Sequence, residues 1–453
     1  MRKPLLLVFT LVMYGLFFLP VFGWDDKWKA IAALIIIQIL WIGKVFPLAF
    51  SSLIFILLLS FHFFSYEQTL SYFSSGIVWL LFSTFIISSS FIETGLASRV
   101  SLYMLRLSRG SGKALIFISF LLMLVLSILI PSNVGKGSLV SSVLDSLMKS
   151  LKKIGDVYHL GKSLFIGIAY LAAISGAFVA TGASSTIYAF GIMNDVSPDL
   201  NYLKWFMLFG IPVLLFIFIL WGIFLFIFPP EKINRKLLMK LIEDKIGELG
   251  PVSTNEKKVM IIIGGTLILW VTQPLHGYSI PQIGLLGACV TVLPYAGVWG
   301  WEQARKSIDW DLILFFASTL MVSGMLIRTG TIDWMAAALN HILAGHSPWV
   351  VSLILVISTS IIRIVFVNIL GFLTIMLPLA ITIGTSNPAL SPLHMAMPVF
   401  LACVPGFFLV TQSPVHLISY TYGYFTDRDL LRVGWIASVA WAGVIAGSVF
   451  FYW

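Results

Sequence analysis

Long runs of apolar residues, separated by short polar segments, recur along the whole chain. A helix needs about 20 mostly apolar residues to cross the hydrocarbon core of a bilayer, and many of these runs are that long. The pattern therefore predicts an all-α polytopic membrane protein with about eleven transmembrane helices. The predicted spans are 4–23, 28–43, 46–65, 77–95, 162–189, 205–229, 258–274, 282–300, 311–328, 394–418 and 433–452.

Two further pairs of apolar arms are short and meet at polar tips. Residues 113–131 pair with 138–150, and residues 347–366 pair with 372–386, with a polar or glycine-containing break inside each pair. Irregular backbone at membrane depth is tolerated only where protein buries it or where it lines a cavity. We therefore predict two re-entrant hairpins rather than four further spans.

Short motifs recur in two constant registers. Positions 235 residues apart match at Ser83-Thr84 and Ser318-Thr319, Thr94-Gly95 and Thr329-Gly330, and Asn133 and Asn368. Positions 230 apart then match at Gly176 and Gly406, Phe178 and Phe408, Thr181 and Thr411, Asp199-Leu200 and Asp429-Leu430, and Trp205 and Trp435. Five predicted spans separate the two copies, and an odd number inverts the second copy. Inverted repeats are typical of secondary transporters, so we expect the hairpin tips to meet near the midplane.

The repeat divides the chain into five predicted regions. These are N-terminal scaffold helices in 1–75, a first repeat in 76–229 with hairpin 113–150, a cytoplasmic amphipathic linker in 230–258, scaffold helices in 259–306, and a second, inverted repeat in 307–453 with hairpin 347–386. Lys and Arg accumulate in the linker and at the base of the first hairpin. This asymmetry predicts a cytoplasmic N-terminus and an outside C-terminus. No small-x-small cleavage site follows the first apolar run, which we interpret as a membrane helix rather than a signal peptide.

Composition narrows the functional classes. Hydrophobic residues make up 59% of the chain and charged residues only 10%, against about 25% charged residues in soluble domains. We assign the net charge of +9 to cytoplasmic loops and expect no nucleic-acid partner. Cys289 and Cys403 provide neither a disulfide framework nor metal-ligand spacing. No cluster of His, Asp and Glu and no activated nucleophile indicates an enzyme, and no cofactor is expected beyond a coupling ion.

The first hairpin tip, from Pro131 to Ser138, combines oxygen ligands with a helix N-terminus. The Ser132 hydroxyl, the Asn133 amide oxygen and freed backbone carbonyls suit a small hard cation such as Na⁺. The free N–H groups of the following helix favour an anion. The alternative is a polar turn in which Asn133 only caps that helix. Its recurrence at Asn368 favours a functional tip.

The second tip runs from Val367 to Gly371. It keeps Asn368 but has no hydroxyl beside it, and Ile369 follows directly. Side-chain ligation of a cation is therefore weaker on this side. We expect any cation site here to depend on backbone carbonyls.

Small hydroxyl residues interrupt the spans after the hairpins. The two breaks read Thr181-Gly182-Ala183-Ser184-Ser185-Thr186 and Thr411-Gln412-Ser413-Pro414. In lipid each hydroxyl needs a partner, and bonding to the helix's own backbone is the simplest explanation. The repeated Gly and Thr favour unwound loops that face the tips. Their hydroxyls and backbone N–H groups would then hold a carboxylate or another oxyanion.

Two cations lie in apolar surroundings, Lys136 three residues past Asn133 and Arg363 five residues before Asn368. Charges within the membrane are costly and mark functional sites by default. They pair with an anionic substrate, or they act as tethered cations in place of Na⁺. If the tips lie away from the midplane, snorkelling to an interface explains them instead. Asp145 is an alternative partner that would neutralise Lys136.

At these tips the chain resembles the divalent anion/Na⁺ symporter family. Members carry Ser-Asn-Thr at both hairpin tips and a proline-rich break in the span after each hairpin. Here Ser132, Asn133, Asn368 and Pro414 match, whereas Val134 and Ile369 replace the motif threonines and Val367 replaces a cation-side serine. The resemblance covers about residues 30–453. It implies an elevator-type transporter, usually a homodimer, that moves di- or tricarboxylates or sulfate with Na⁺ or by exchange.

We therefore expect a multi-pass transporter of a small anion in a bacterial-type inner membrane, coupled to Na⁺. The alternatives are an exchanger, a proton-coupled transporter in which His416 could titrate, or a membrane sensor that transports nothing. Expected substrate-binding residues are Ser132, Asn133, Val134, Lys136, Ser184, Ser185, Asn368, Ile369, Ser413 and Pro414. Expected cation-binding residues are Ser132, Asn133, Gly182, Asn368 and Thr411, with Arg363 as a tethered cation and Na⁺ at the Asn133 and Asn368 tips.

Overall fold

The computed structural model describes residues 2–153, 155–343, 345–366 and 368–453, and these ranges contain helices but no β-strand. The first twelve helices are α1 (Arg2–Phe18), α2 (Asp26–Ile42), α3 (Leu48–His62), α4 (Tyr66–Ser71), α5 (Gly76–Glu93), α6 (Leu96–Arg106), α7 (Gly112–Leu129), α8 (Asn133–Lys152), α9 (Tyr158–Ile174), α10 (Ser184–Val196), α11 (Tyr202–Ile227) and α12 (Arg235–Glu248). The others are α13 (Thr254–Val271), α14 (Gln273–His276), α15 (Ile280–Val292), α16 (Trp301–Ala304), α17 (Trp310–Arg328), α18 (Thr331–Leu343), α19 (Pro348–Arg363), α20 (Ile369–Ser386), α21 (Pro392–Cys403), α22 (Pro414–Thr421) and α23 (Asp427–Phe451).

Seven helices in the described chain are long and apolar enough to cross a membrane, namely α5, α7, α9 with its 3₁₀ extension to Phe178, α11, α17, α20 and α23. Shorter apolar helices lie within α1, α3, α15, α19 and α21. The predicted all-α polytopic fold is confirmed. The number of eleven spans and the elevator topology stay predictions.

The order of helices repeats in the predicted register. Helices α5 to α8 begin at residues 76, 96, 112 and 133, and α17 to α20 begin at 310, 331, 348 and 369. The start of α22 lies 230 positions after that of α10, which is the second register. Sequence analysis missed α6 and α18, which connect a span to a hairpin in each copy. Their amphipathic composition gives no long apolar run, so a search for spans passes over them.

The predicted linker helix is present as α12. Leu238 and Ile242 are buried on one face, while Lys236 and Lys240 on the other are exposed. The Asn234 side chain caps the helix by accepting from the backbone N–H groups of residues 236 and 237. Its cytoplasmic placement stays a prediction.

By internal contacts the chain divides into two compact units. Unit A comprises residues 1–82, 191–197 and 309–403, and unit B comprises 83–190, 198–308 and 404–453. The first hairpin, α7 with α8, and both breaks belong to unit B. The second hairpin, α19 with α20, belongs to unit A. The five predicted regions stay a prediction, and the tips are described below within their own units.

Local sequence explains the first hairpin. Helix α7 stops at Leu129 because Ile130 precedes Pro131 and takes an extended conformation. The Ser132 hydroxyl then accepts a hydrogen bond from the backbone N–H of Gly135 at 3.0 Å and starts α8. Leu122 and Leu126 of α7 are fully buried, so this arm is anchored in the core of unit B.

Candidate functional site

The first tip places Asn133 and Ser132 in different roles. Ser132 caps α8, whereas Asn133 is the first residue of that helix. The Asn133 amide oxygen is buried and has no hydrogen-bond partner among the described residues. It lies 3.1 Å from the point that a Cβ on Gly176 would occupy, a few residues before the first break. A buried, unsatisfied amide oxygen is costly, and an oxygen of this kind suits a hard cation or a donor group of a substrate.

Lys136 is fully buried one turn into α8. Its ammonium donates to the Ser127 hydroxyl at 2.6 Å and to the Gly182 carbonyl at 3.2 Å. Within the described ranges no carboxylate lies close enough for an ion pair with it. The ammonium therefore rests on one hydroxyl and one backbone carbonyl, which are the oxygen types that would otherwise ligate Na⁺.

Asp145 does not neutralise Lys136, which corrects that alternative. Its carboxylate pairs with Lys149 at 2.7 Å and accepts a hydrogen bond from the Tyr424 hydroxyl at 2.9 Å. A helix places residues nine positions apart more than two turns from each other. The charge of Lys136 is consequently left without a counter-charge on its own helix.

The first break is unwound up to Ala183, whereas its last three predicted residues, Ser184, Ser185 and Thr186, form the start of α10. A 3₁₀ turn covers Ser175–Phe178, the chain is irregular from there, and α10 starts at Ser184. The Thr186 hydroxyl donates to the Gly176 carbonyl at 2.8 Å and holds the loop together. A Cβ on Gly182 would collide with that carbonyl, so the close approach requires glycine. Glycine here leaves the Gly182 carbonyl in reach of Lys136.

The remaining residues of the first break differ in exposure. Ser185 and Thr181 are buried, while Ser184 is half-buried at the start of α10. The Thr181 hydroxyl lies beside that of Tyr202, and neither makes a hydrogen bond of normal geometry with a described residue. Thr181 also lines a cavity with Thr84, Pro131 and Trp270.

Side chains of the second break hold its own backbone. The Gln412 amide oxygen accepts from the N–H groups of Phe408 and Leu409 at 2.8 and 3.0 Å. The Ser413 hydroxyl accepts from the N–H of residue 415 at 3.2 Å and caps α22. No role was predicted for Gln412, although it lies within the predicted break. The sequence does contain a signal for it, because Gln412 lies 230 positions after Gly182 and so corresponds to Gly182 in the second copy.

Three more predicted residues lie at the second break. Thr411 and Pro414 are exposed. His416 is buried, with Nδ1 3.1 Å from the Leu409 carbonyl oxygen. The His416 ring is thus in contact with the backbone just before the second break.

Unit B brings the first tip against both breaks. Lys136 reaches the first break through the Gly182 carbonyl. On the same helix, a Cβ on Gly137 would lie 2.5 Å from a methyl group of Val415, directly after Ser413 and Pro414. The N-terminal end of α8 thus lies between the two unwound segments. Chemically this arrangement offers one cation, several hydroxyls and free backbone groups, which suits an oxyanion.

In unit A, Asn368 behaves as a helix cap. Its amide oxygen accepts from the backbone N–H groups of Leu370 and Gly371 at 3.0 and 3.3 Å. Ile369 is half-buried beside it, and Val367 lies outside the described residues. The Gln38 side chain of α2 donates to the Gly371 carbonyl at 3.3 Å, a contact that sequence analysis missed. Gln38 is a buried polar residue within an apolar helix, which was the available signal.

Arg363 is also buried in unit A, where it binds backbone carbonyls. Its Nε donates to the Cys403 carbonyl at 2.8 Å, and its Nη1 donates to the Phe366 carbonyl. Cys403 is the last residue of α21, and Phe366 follows the end of α19. Carbonyls at helix C-termini lack intrahelical partners and carry partial negative charge. The guanidinium thus binds carbonyl oxygens at or just after the C-terminal ends of α21 and α19.

Comparison with known proteins identifies relatives. The sequence profile described as the sodium:sulfate symporter transmembrane region matches residues 2–453. An uncharacterized transporter of Haemophilus influenzae is 26% identical over 69% of this chain and 66% of its own length. The putative malate transporter YflS of Bacillus subtilis is 28% identical over 64% of this chain and 62% of its own length. The chain thus spans just under two thirds of the length of these two relatives.

A relative that matches over more of the chain and one solved structure are also described as an antiporter and a transporter. The L-tartrate/succinate antiporter of Escherichia coli K12 is 24% identical over 82% of this chain and 77% of its own length. The crystal structure of the Alcanivorax borkumensis YdaH transporter superimposes with a TM-score of 0.55. That match has 13% identity and covers 84% of this chain and 86% of the other. At this identity it is a likeness of fold alone.

Proposed function

The chain belongs to the sodium:sulfate symporter family, and on that premise we propose that it is a secondary active transporter of a small anionic solute. The single observation that carries the proposal is the ammonium of Lys136, buried at a hairpin tip with no carboxylate partner among the described residues. A buried cation is costly unless a counter-charge joins it for part of the cycle. An anionic substrate supplies that charge.

The substrate class follows from the neighbouring groups and the relatives. Free N–H groups of α8, and the hydroxyls of both breaks, favour a carboxylate or sulfate oxygen. Relatives are described as malate and tartrate/succinate transporters. We propose a di- or tricarboxylate or a sulfate-like anion as substrate. Proposed contacts in unit B are Ser132, Asn133, Val134, Lys136, Ser184, Ser185, Ser413 and Pro414. For Asn368 and Ile369, which belong to unit A, substrate binding stays a prediction from the repeat.

Two coupling modes are proposed. In the first, Na⁺ binds at the tips, where Asn133 offers an unsatisfied oxygen. In the second, Lys136 and Arg363 stand in for Na⁺ and the protein exchanges anions or couples to protons. The second mode is supported by a specific geometry, since both side chains donate to backbone carbonyls at broken or ended helices. We favour exchange for this reason.

The transport cycle is proposed to be an elevator movement within a homodimer in the inner membrane, with the N-terminus cytoplasmic. The repeated order of helices supports alternating access between two pseudo-symmetric states. A sensor that transports nothing is not favoured, because the family and the named relatives are transporters.

Uptake into proteoliposomes tests the function. Labelled succinate, citrate and sulfate are supplied with inward Na⁺, with K⁺ alone, and with unlabelled anion inside. Exchange predicts uptake that requires internal anion and is equal in Na⁺ and K⁺. Uptake that requires Na⁺ would replace exchange by symport. No uptake of any of the three anions under any condition would refute the proposed substrate class.

A further inference from the structure

A cluster of exposed cations lies in unit B, away from the hairpin tips. Its members are Arg109, Lys113, Lys232, Arg235 and Lys236, and we call them the basic cluster. None of the five forms an ion pair within the described ranges. Like charges repel when they are held close together. A bound anion would relieve the repulsion among these five cations.

Backbone contacts hold the cluster together. A Cβ on Gly110 would collide with the Arg235 carbonyl, so the turn between α6 and α7 lies directly on the start of α12. Arg109 in this turn has a φ of 48°, a left-handed conformation that costs energy for a residue other than glycine. The backbone strain at Arg109 is tolerated because the packing fixes the turn. The segments 109–113 and 230–236, which carry the five cations, are therefore packed against each other, since a Cβ on Gly112 would also contact Pro230 and Ile233.

An apolar surface adjoins the cluster. The Trp221 indole N–H of α11 donates to the Lys113 carbonyl at 3.0 Å. Phe117 packs against both Trp221 and Phe218, with ring centroids 5.1 Å apart in each case. Phe218 is 53% exposed and Leu107, beside the cluster, is 64% exposed. A tryptophan with its polar edge bonded at one end of an exposed apolar face is typical of the interface between lipid tails and headgroups.

We propose that the basic cluster and this apolar face form a binding site for an anionic phospholipid. The phosphate of the headgroup binds the cations, and an acyl chain lies along Phe117, Phe218 and Trp221. The combination distinguishes a lipid from a soluble anion, which would use the cations alone. Bound lipid joins α12 to the base of the first hairpin, and the site does not depend on which anion the protein transports.

Titration of the purified full-length protein tests the site. Phosphatidylglycerol, phosphatidylcholine and glycerol 3-phosphate are added in detergent, and bound molecules are counted by native mass spectrometry. The proposal predicts saturable binding of phosphatidylglycerol only, unaffected by saturating succinate. Equal binding of phosphatidylcholine would overturn it, and so would glycerol 3-phosphate binding as tightly as phosphatidylglycerol. This comparison uses the unaltered protein and does not depend on a variant's folding.

A matched pair of double variants locates the site. Each cation near an anionic headgroup contributes about fivefold to affinity. Lys113→Gln with Lys236→Gln should therefore weaken phosphatidylglycerol binding about 25-fold. Lys257→Gln with Lys306→Gln removes the same charge from exposed positions outside the cluster and should leave affinity within about twofold of the unaltered protein. Equal weakening by both pairs would mean that only net charge matters and would overturn the assigned location.

Discussion

Replacing Lys136 with alanine gives the sharpest test of how this protein handles charge. In the folded chain its ammonium donates to the Ser127 hydroxyl and the Gly182 carbonyl, at 2.6 and 3.2 Å. The substitution removes the cation but leaves both oxygens, together with a space where the side chain had been. If the ammonium stands in for Na⁺, that space should accept Na⁺ itself.

The expected loss of substrate affinity follows from Coulomb's law. An anion about 6 Å from the ammonium, at an effective dielectric constant of about 20, gains about 3 kcal/mol, which corresponds to about 100-fold in affinity. Stability should change less. Each hydrogen bond from a charged donor contributes about 1.5–3 kcal/mol, and removing an uncompensated buried charge offsets this loss.

The assay is counterflow of labelled anion in proteoliposomes, measured in K⁺ and in Na⁺ media. In K⁺ medium Lys136→Ala should have about 100-fold weaker apparent affinity, so that uptake at about ten times the KM of the unaltered protein falls to about a tenth. Na⁺ should restore part of the uptake. Lys136→Met, which fills the space without a charge, should not be restored. Lys149→Ala, at the exposed end of the same helix, should transport normally.

Two results would refute this reasoning. Normal uptake by Lys136→Ala in K⁺ medium would show that the ammonium compensates no substrate charge. Equal restoration of the alanine and methionine variants by Na⁺ would show that Na⁺ acts elsewhere. Thermal unfolding of each purified variant checks that a loss of uptake is not a loss of folding.

Three further predictions concern buried contacts. Arg363→Lys should abolish uptake, because a single ammonium cannot bind the carbonyls of both Cys403 and Phe366 as the guanidinium does. Tyr170→Phe should lower the unfolding temperature and slow transport, because the hydroxyl contacts the backbone carbonyls of Leu430 and of Phe407, which lies four residues before the second break. A buried polar group left without its partner costs about 1–3 kcal/mol. Glu256→Gln should destabilise by about 3–5 kcal/mol, since it breaks the buried 2.6 Å pair with Arg99. The hydrogen bond from Arg99 lowers the pKa of Glu256, so its contribution is complete above the ordinary glutamate pKa of about 4.3 and disappears as the pH falls through the lowered folded-state pKa. Unfolding midpoints measured against pH should show this loss in the unaltered protein and not in Glu256→Gln.

The long apolar helices were predictable because their signal is local. Apolar length predicted the seven helices that are long enough to cross a membrane, and the polar tip after Ile130 predicted the break between α7 and α8, whereas the number of spans and the re-entrant insertion stay predictions. The 235-residue register predicted two copies, and the starts of α6 and α18 follow it even though neither helix was recognised. The amphipathic linker was also readable, since its Lys and Leu spacing places Leu238 and Ile242 on one face.

The roles of the two repeated asparagines were not predictable. Both follow the same register, yet Asn368 caps α20 whereas Asn133 lies one position inside α8, with Ser132 as the cap. A neighbouring serine competes for the cap in the first copy, and no such competitor precedes Asn368 among the described residues. The amide oxygen of Asn133 therefore does not cap α8 and lies near Gly176.

The sequence by itself determined that Lys136 lies in a polar tip between two apolar arms and that Arg363 lies within an apolar arm, and it left burial and snorkelling as alternatives; the structure shows both side chains buried. Only the tertiary structure decided what they contact. Lys136 meets a carbonyl 46 residues further along the chain, and Arg363 meets one 40 residues further along. Hydrophobic periodicity specifies which face of a helix is buried, but the oxygen that satisfies a buried cation comes from distant chain, and packing alone brings it there.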